Sequence, residues 1–184
     1  FRSKLDRLTK MLVLVKANAY GHGAVEFSLM MQSAGADYLA VALPVEGIEL
    51  RQAGISLPIL VLTAGTDFFD EIIDNHLEPG IPNMFTLKAL VRVLKSRGIK
   101  DFPIHLKLDT GMHRLGFMTS ELPDLMDYLE DCQEVRIKSI YSHLCVAEDP
   151  GMDSFTLGQA RLFERNAALI EDTIGYHPLY HLLN

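Results

Sequence analysis

The sequence predicts an α/β fold: a (β/α)8 barrel of the TIM type, incomplete, with about seven strands present and the last strand missing. Three observations carry that expectation. Seven short, evenly spaced apolar runs alternate with segments of helical periodicity. Each run is continuously apolar, as a strand of a parallel sheet covered on both faces must be. The turn after the first run, Tyr20-Gly21-His22-Gly23, lacks the G-x-G-x-x-G spacing of an open nucleotide-binding sheet. A whole barrel takes roughly 250 residues, so a chain of 184 is short by at least one strand and helix. Residues 1–184 are therefore expected to form one partial barrel domain, cut at both ends, with no internal linker.

Each element has its own local reason. The chain opens on a stretch that reads as part of a helix, Phe1–Lys10. Apolar runs predict strands at Met11–Lys16, Asp37–Leu43, Leu57–Leu62, Leu77–Ile81, Phe102–Asp109, Arg136–His143 and Leu179–Asn184. Helical spacing predicts Ala24–Ala34, Pro44–Ala53, Asp67–Asn75, Thr86–Arg97, Glu121–Asp131 and Ser154–Asp172. Pro44 suits a first helical turn, and Gly35, Gly54 and Gly98 stand where helices end.

Composition narrows the function classes. A net charge of −7 argues against nonspecific nucleic-acid binding, and favours a cytoplasmic protein. No apolar stretch approaches the roughly 18 residues of a membrane span, so no membrane partner is expected. Cys132 and Cys145 are too few and too irregular for a disulfide framework or a zinc site, and read as reduced, partly buried thiols. No metal site is expected.

The chemistry gathers at predicted strand ends, where barrels of this type carry their functional residues. Lys16 closes the apolar run Met11–Val15 and leads into a Gly-flanked segment that reads as a tight loop. Partial desolvation there favours the neutral amine, the form that attacks an aldehyde to make a Schiff base. Further along, alternation places His105, Lys107 and Asp109 on one strand face and Leu106 and Leu108 on the other. An inward lysine must be ion-paired or chemically neutralised. His143 ends the sixth run and Asn184 the last. Phe155, Gln159 and Phe163, four apart on one helix face, read as packing.

Three segments carry a family resemblance. Lys16–Gly23 resembles the pyridoxal-phosphate lysine motif of bacterial alanine racemases, Lys-Ala-(Asn/Asp)-Ala-Tyr-Gly-His-Gly, at all eight positions. Leu106–Gly116 resembles their L-K-(L/V)-D-T-G-M-x-R-L-G signature, and Ser142-His143-Leu144 their (T/S)-H-(F/L) turn. The closing His181-Leu182-Leu183-Asn184 is similar to the start of their H-x-(A/L)-N-S segment.

The resemblance implies a fold-type III enzyme that racemises L-alanine to D-alanine for peptidoglycan precursors, using pyridoxal 5'-phosphate. On it, Lys16 holds the cofactor and acts as the base on one face of the substrate. Tyr20 lies near the cofactor phosphate, His143 packs against its ring, and Asn184 belongs to the cofactor site. Lys107 matches a lysine that is often carbamylated. Arg114 matches the arginine held by that anion, donating to the phenolic oxygen of the cofactor near the substrate carboxylate. His22 and Gly23 shape the loop. The family's second base, a tyrosine from the C-terminal β-domain of the other subunit of a homodimer, has no counterpart in residues 1–184. Neither does the arginine at the pyridine nitrogen or the phosphate-binding serine. The chain alone is therefore expected to lack racemase activity. Other readings are a different pyridoxal-phosphate barrel enzyme, such as an amino-acid decarboxylase or a serine or broad-specificity racemase. A noncatalytic pyridoxal-phosphate-binding barrel and a Schiff-base aldolase without cofactor are also open.

Overall fold

A computed structural model describes residues 2–182. The chain divides into two compact units, Phe1–Gly80 and Ile81–Asn184.

In the first unit a 3-10 turn, Arg2–Lys4, precedes β1 (Leu12–Leu14), a single turn α1 (Lys16–Tyr20) and α2 (Ala24–Ser33). Then come β2 (Tyr38–Val41), α3 (Pro44–Gln52), β3 (Ile59–Val61), a 3-10 turn Thr66–Phe68 running into α4 (Phe69–Asp74), and β4 (Glu78–Ile81). The strands pair in parallel and in chain order, with Leu12 beside Tyr38, Leu39 beside Ile59 and Leu60 beside Glu78. Leu39, Val41, Ile59, Leu60 and Val61 are fully buried, and Leu50, Ile72 and Leu77 close over them. β1, expected as a buried strand, is only half-buried, since among the described residues it pairs with β2 alone.

The helix expected at Phe1–Lys10 does not form beyond the Arg2–Lys4 turn. Its charged residues leave no apolar stripe to bury, and Leu8 stays 87% exposed. Asp37 fixes the path of this segment instead. Its carboxylate pairs with Arg2 and Lys10 and accepts the Met11 N–H at 2.8 Å. Burial opposes ionisation of Asp37, but the Met11 hydrogen bond and the two cations outweigh it and hold its pKa down.

The second unit contains α5 (Met84–Ser96), β5 (Phe102–Lys107), a 3-10 turn Thr119–Glu121 leading into α6 (Leu122–Glu130), and β6 (Val135–Ser142). A 3-10 turn Pro150–Met152, the long α7 (Asp153–Ile174) and β7 (Leu179–Leu182) complete it. Asn83 caps α5 by accepting the Thr86 N–H at 2.9 Å. α5 buries Leu87, Leu90, Val91 and Leu94, the spacing of one helix face. β5, β6 and β7 are parallel, and the β5–β6 register slips by one residue between Ile104 and His105. Beyond the slip, Lys107, Tyr141 and His181 fall in one row across the three strands.

The other expected elements form within about two residues of their predicted ends. Pro44 opens α3 as expected, and Gly35, Gly54 and Gly98 all adopt positive φ just past helix ends. Cys132 and Cys145 are free and half-buried. Among the described residues no helix is long and apolar enough to cross a membrane.

Candidate active site

The tight loop expected after Lys16 is a left-handed turn. Val15, 1% exposed, ends the β1 run with its N–H on the Ala40 carbonyl at 2.8 Å. Ala17, Asn18, Ala19 and Tyr20 then take φ of 51, 55, 51 and 55°. Each such residue costs roughly 1–2 kcal/mol relative to the right-handed form, so the surroundings must enforce the turn. Backbone bonds do part of this: Ala19 N–H reaches Val15 O at 2.9 Å and Gly23 N–H reaches Asn18 O at 3.1 Å.

Two side chains do the rest. Glu46, in the first turn of α3, accepts the Ala17 N–H at 2.7 Å through one oxygen. Its other oxygen accepts Ala42 N–H at 2.7 Å and Leu43 N–H at 3.0 Å. Asn18 Oδ1 accepts Ala24 N–H at 2.7 Å and so caps α2. The result fixes Lys16 half-buried at the end of β1 and leaves Tyr20 60% exposed. His22 stacks on Phe27, 6.2 Å between ring centres, in keeping with a role in shaping the loop.

The second unit brings together Lys107, Asp109, Arg114 and His143, which line one recess with Met112 and Ser142. Lys107 ends β5 with its ammonium 5.0 Å from the centre of the Tyr141 ring. On the ring's row, His181 stacks almost parallel at 4.9 Å and 2°, as expected for neighbours one strand spacing apart. Burial and the nearby Arg114 cation push the Lys107 pKa down, while Asp109 pulls the other way. Lys107 and Asp109 nonetheless form no ion pair among the described residues. The buried Asp109 carboxylate turns instead to the loop that follows, accepting Gly111 N–H at 2.9 Å and His113 N–H at 3.1 Å. That loop returns to the strand, with Phe117 N–H on Lys107 O at 2.8 Å, and presents Arg114 to solvent. His143 follows the last residue of β6 and is half-buried. Asn184 lies outside the described residues.

Several residues of the site carried weaker sequence signals. Tyr141 stands two residues before His143, the spacing of one strand face, and its buried hydroxyl has no hydrogen-bond partner among the described residues. Behind it a polar chain runs from His105 Nδ1 to Ser139 Oγ at 2.6 Å and on to His181 Nε2 at 3.2 Å. Burial, with His105 and Lys107 nearby, depresses the His181 pKa to about 4. Gln159, expected to pack, is 2% exposed but fully engaged in hydrogen bonds, and Phe155 is 39% exposed. Phe163 does pack, at 3% exposure.

Comparison with known proteins gives the family and the fold. The family model "Alanine racemase, N-terminal domain" matches residues 1–184. The alanine racemase of Synechocystis is 37% identical over 186 residues, covering all of this chain and 50% of that protein. That of Cutibacterium acnes is 36% identical, covering 95% and 47%. Among solved structures, alanine racemase of Clostridium difficile 630 superposes with a TM-score of 0.88 at 30% identity, over 98% of this chain and 47% of that one. The Corynebacterium glutamicum enzyme gives 0.82 at 26% identity, over 95% and 48%. The chain thus spans about half the length of the relatives it matches. The fold is the incomplete (β/α)8 barrel that the sequence predicted. With the whole chain covered by the family's pattern, this protein belongs to the alanine racemase N-terminal domain family.

Proposed function

We propose that this chain is the cofactor-binding half of an enzyme that interconverts L- and D-alanine, with pyridoxal 5'-phosphate held by Lys16. The observation that carries the reading is the single recess where Lys107, Asp109, Arg114 and His143 meet. The donor set fits such a group. Arg114 is exposed, enters no ion pair among the described residues, and offers a planar fork to a phenolate or carboxylate oxygen. Tyr20 offers an exposed hydroxyl to the phosphate end and His143 offers a ring face; Asn184, which the resemblance adds, lies outside the described residues.

When bound, pyridoxal 5'-phosphate supplies an electron sink for negative charge at the alanine Cα. Lys16 Nζ anchors it and takes or returns the proton on one face of that carbon. Arg114 orients the substrate carboxylate. The lowered pKa of Lys107 leaves more of its amine neutral. The ammonium first loses one proton to water; addition of CO2 to the resulting neutral amine forms an N–C bond and releases a second, so that an anion replaces a cation beside Arg114. The base for the opposite face comes from the other subunit of a homodimer of the longer parent. The parent works in the cytoplasm, and its D-alanine feeds peptidoglycan synthesis.

The test is to mix the chain with pyridoxal 5'-phosphate, reduce with borohydride and map the label by peptide mass. The expected result is one cofactor adduct, on Lys16, absent from Lys16→Ala. Labelling spread over surface lysines, or none on Lys16, overturns the reading.

A further inference from the structure

α7 reaches across two loops of the second unit through one buried side chain, Gln159, which is 2% exposed. Its Nε2 donates to the His143 carbonyl at 3.1 Å and to Thr110 Oγ1 at 3.4 Å. Its Oε1 accepts Cys145 N–H at 3.3 Å and lies 3.6 Å from Cys145 Sγ. A backbone carbonyl on one side and a backbone N–H on the other fix which way the amide faces. Both donors and both acceptor positions of the glutamine are used.

The network has a direction. Ser142 Oγ donates to Leu108 O at 2.7 Å, so its one hydrogen is committed. Thr110 must then be the donor in the 2.8 Å contact with Ser142, and Thr110 in turn accepts from Gln159. Donation therefore runs Gln159 to Thr110 to Ser142 to Leu108, and reversing any link leaves a buried acceptor facing an acceptor. The same face of α7 closes on the β5 loop elsewhere, since a Cβ on Gly111 would meet the Phe155 ring at 3.1 Å.

We propose that Gln159 is a positioning residue, fixing the loop that carries His143 against the loop that carries Arg114. The proposal rests on the assignment of those two residues to the cofactor site. Asp109 holds the β5 loop from the strand side, and Gln159 holds it from the helix side together with the loop after β6. Without the amide, the Thr110–Ser142 contact still joins the two segments, but both lose their tie to α7.

Gln159→Leu keeps the volume and removes every hydrogen bond. Gln159→Glu keeps the acceptor for Cys145 but presents an acceptor to the His143 carbonyl. Ile170→Ala, in the same helix and fully buried, is a control for lost stability alone. The 184-residue chain and its variants are compared by affinity for pyridoxal 5'-phosphate, Cys145 alkylation rate with the other thiol followed by mass, and thermal midpoint. Gln159→Leu is expected to weaken affinity about tenfold, the equivalent of one or two lost hydrogen bonds, and to speed Cys145 alkylation several-fold. Gln159→Glu is expected to weaken affinity as much while Cys145 stays protected, and Ile170→Ala to leave both unchanged. Equal affinity losses in Gln159→Leu and Ile170→Ala overturn the proposal, as does unchanged affinity in both Gln159 variants. If Gln159→Leu does not fold, Thr110→Val breaks the same chain and must also weaken affinity; unchanged affinity there overturns it. A wild-type chain that takes no cofactor on Lys16 sinks the proposed function instead. Cys145 alkylation then decides the anchor alone, and an unchanged rate in Gln159→Leu refutes it.

Discussion

The two units hold their reactive residues by opposite means. In Phe1–Gly80 the device is a strained backbone: four successive residues in left-handed conformation, kept there by two side-chain acceptors, Asn18 and Glu46. In Ile81–Asn184 positive φ around the site is scattered, at Gly111, His113 and Gly116, and side chains do the holding. Asp109 pins the loop that follows it, and Gln159 joins that loop to the one after β6. A strained turn needs small residues and tolerates little change in them. A side-chain network tolerates change in the loops but depends on every donor having its acceptor.

The largest expected effect probes the exception, the place where the second unit also depends on backbone fit. A Cβ on Gly116 would sit 2.5 Å from Asp109 N and 2.6 Å from Leu108 C, at φ +127°. Neither atom belongs to a flexible side chain, so Gly116→Ala must displace the loop from the strand. It is expected to cost about 3 kcal/mol or more. Gly21→Ala, at the end of the left-handed turn, meets nothing within 4 Å and pays only for φ +91°, about 1–2 kcal/mol. Chemical denaturation of the two variants measures the difference. Equal losses would mean that φ strain alone governs both sites.

Next in size is Glu46→Ala, which strips the acceptor from three backbone N–H groups at once. The expected cost is about 2–3 kcal/mol, since hydrogen bonds to charged groups exceed neutral ones. Glu46→Gln should fall between, because an amide can satisfy one side of the arrangement while its NH2 faces a donor on the other. A loss below about 0.5 kcal/mol for Glu46→Ala, the size of an ordinary surface change, would show that the turn holds itself.

Much of this was legible in the sequence, and what was hidden has a common cause. Apolar runs and Gly or Pro punctuation give the order of strands and helices because both are local. Lys16, Lys107, Arg114 and His143 could be singled out because they sit at strand ends or in quoted motifs. The handedness of the Ala17–Tyr20 turn could not, since alanine is the best right-handed helix former. Its cause lies 29 residues away, in Glu46. Gln159 bonds to Thr110, 49 residues away, and on its own helix looks like one polar residue between two phenylalanines. The Phe1–Lys10 helix failed for the converse reason, a local reading overruled by Asp37 across 35 residues. The slip at Ile104/His105 that aligns Lys107 with Tyr141 and His181 also arises between strands, not within one.

The His181 row sharpens the second unit's dependence on buried polar groups, through pH. His181 titrates near 4 in the folded chain and near 6.5 when unfolded. Between those values the unfolded chain holds the proton and the folded one does not, so stability rises with pH. The contribution is complete above about pH 6.5 and falls away as pH drops toward 4. Urea midpoints across that window should decline more steeply for wild type than for His181→Asn, which keeps polarity but cannot titrate. Parallel declines would place the acid sensitivity elsewhere.

The smallest effect tests how far the left-handed turn depends on a single cap. Asn18→Ala removes the acceptor for Ala24 N–H and with it the side-chain cap of α2. Loss of such a cap costs about 1 kcal/mol, and asparagine also tolerates the left-handed region better than alanine. Asn18→Asp restores the acceptor and should recover most of the loss, with added benefit from a negative charge at a helix N-terminus. Thermal melts of the two variants decide the matter. If Asn18→Asp is as weak as Asn18→Ala, then the amide NH2 rather than Oδ1 matters at this position. The first unit would then share with the second a reliance on donor direction rather than on backbone shape alone.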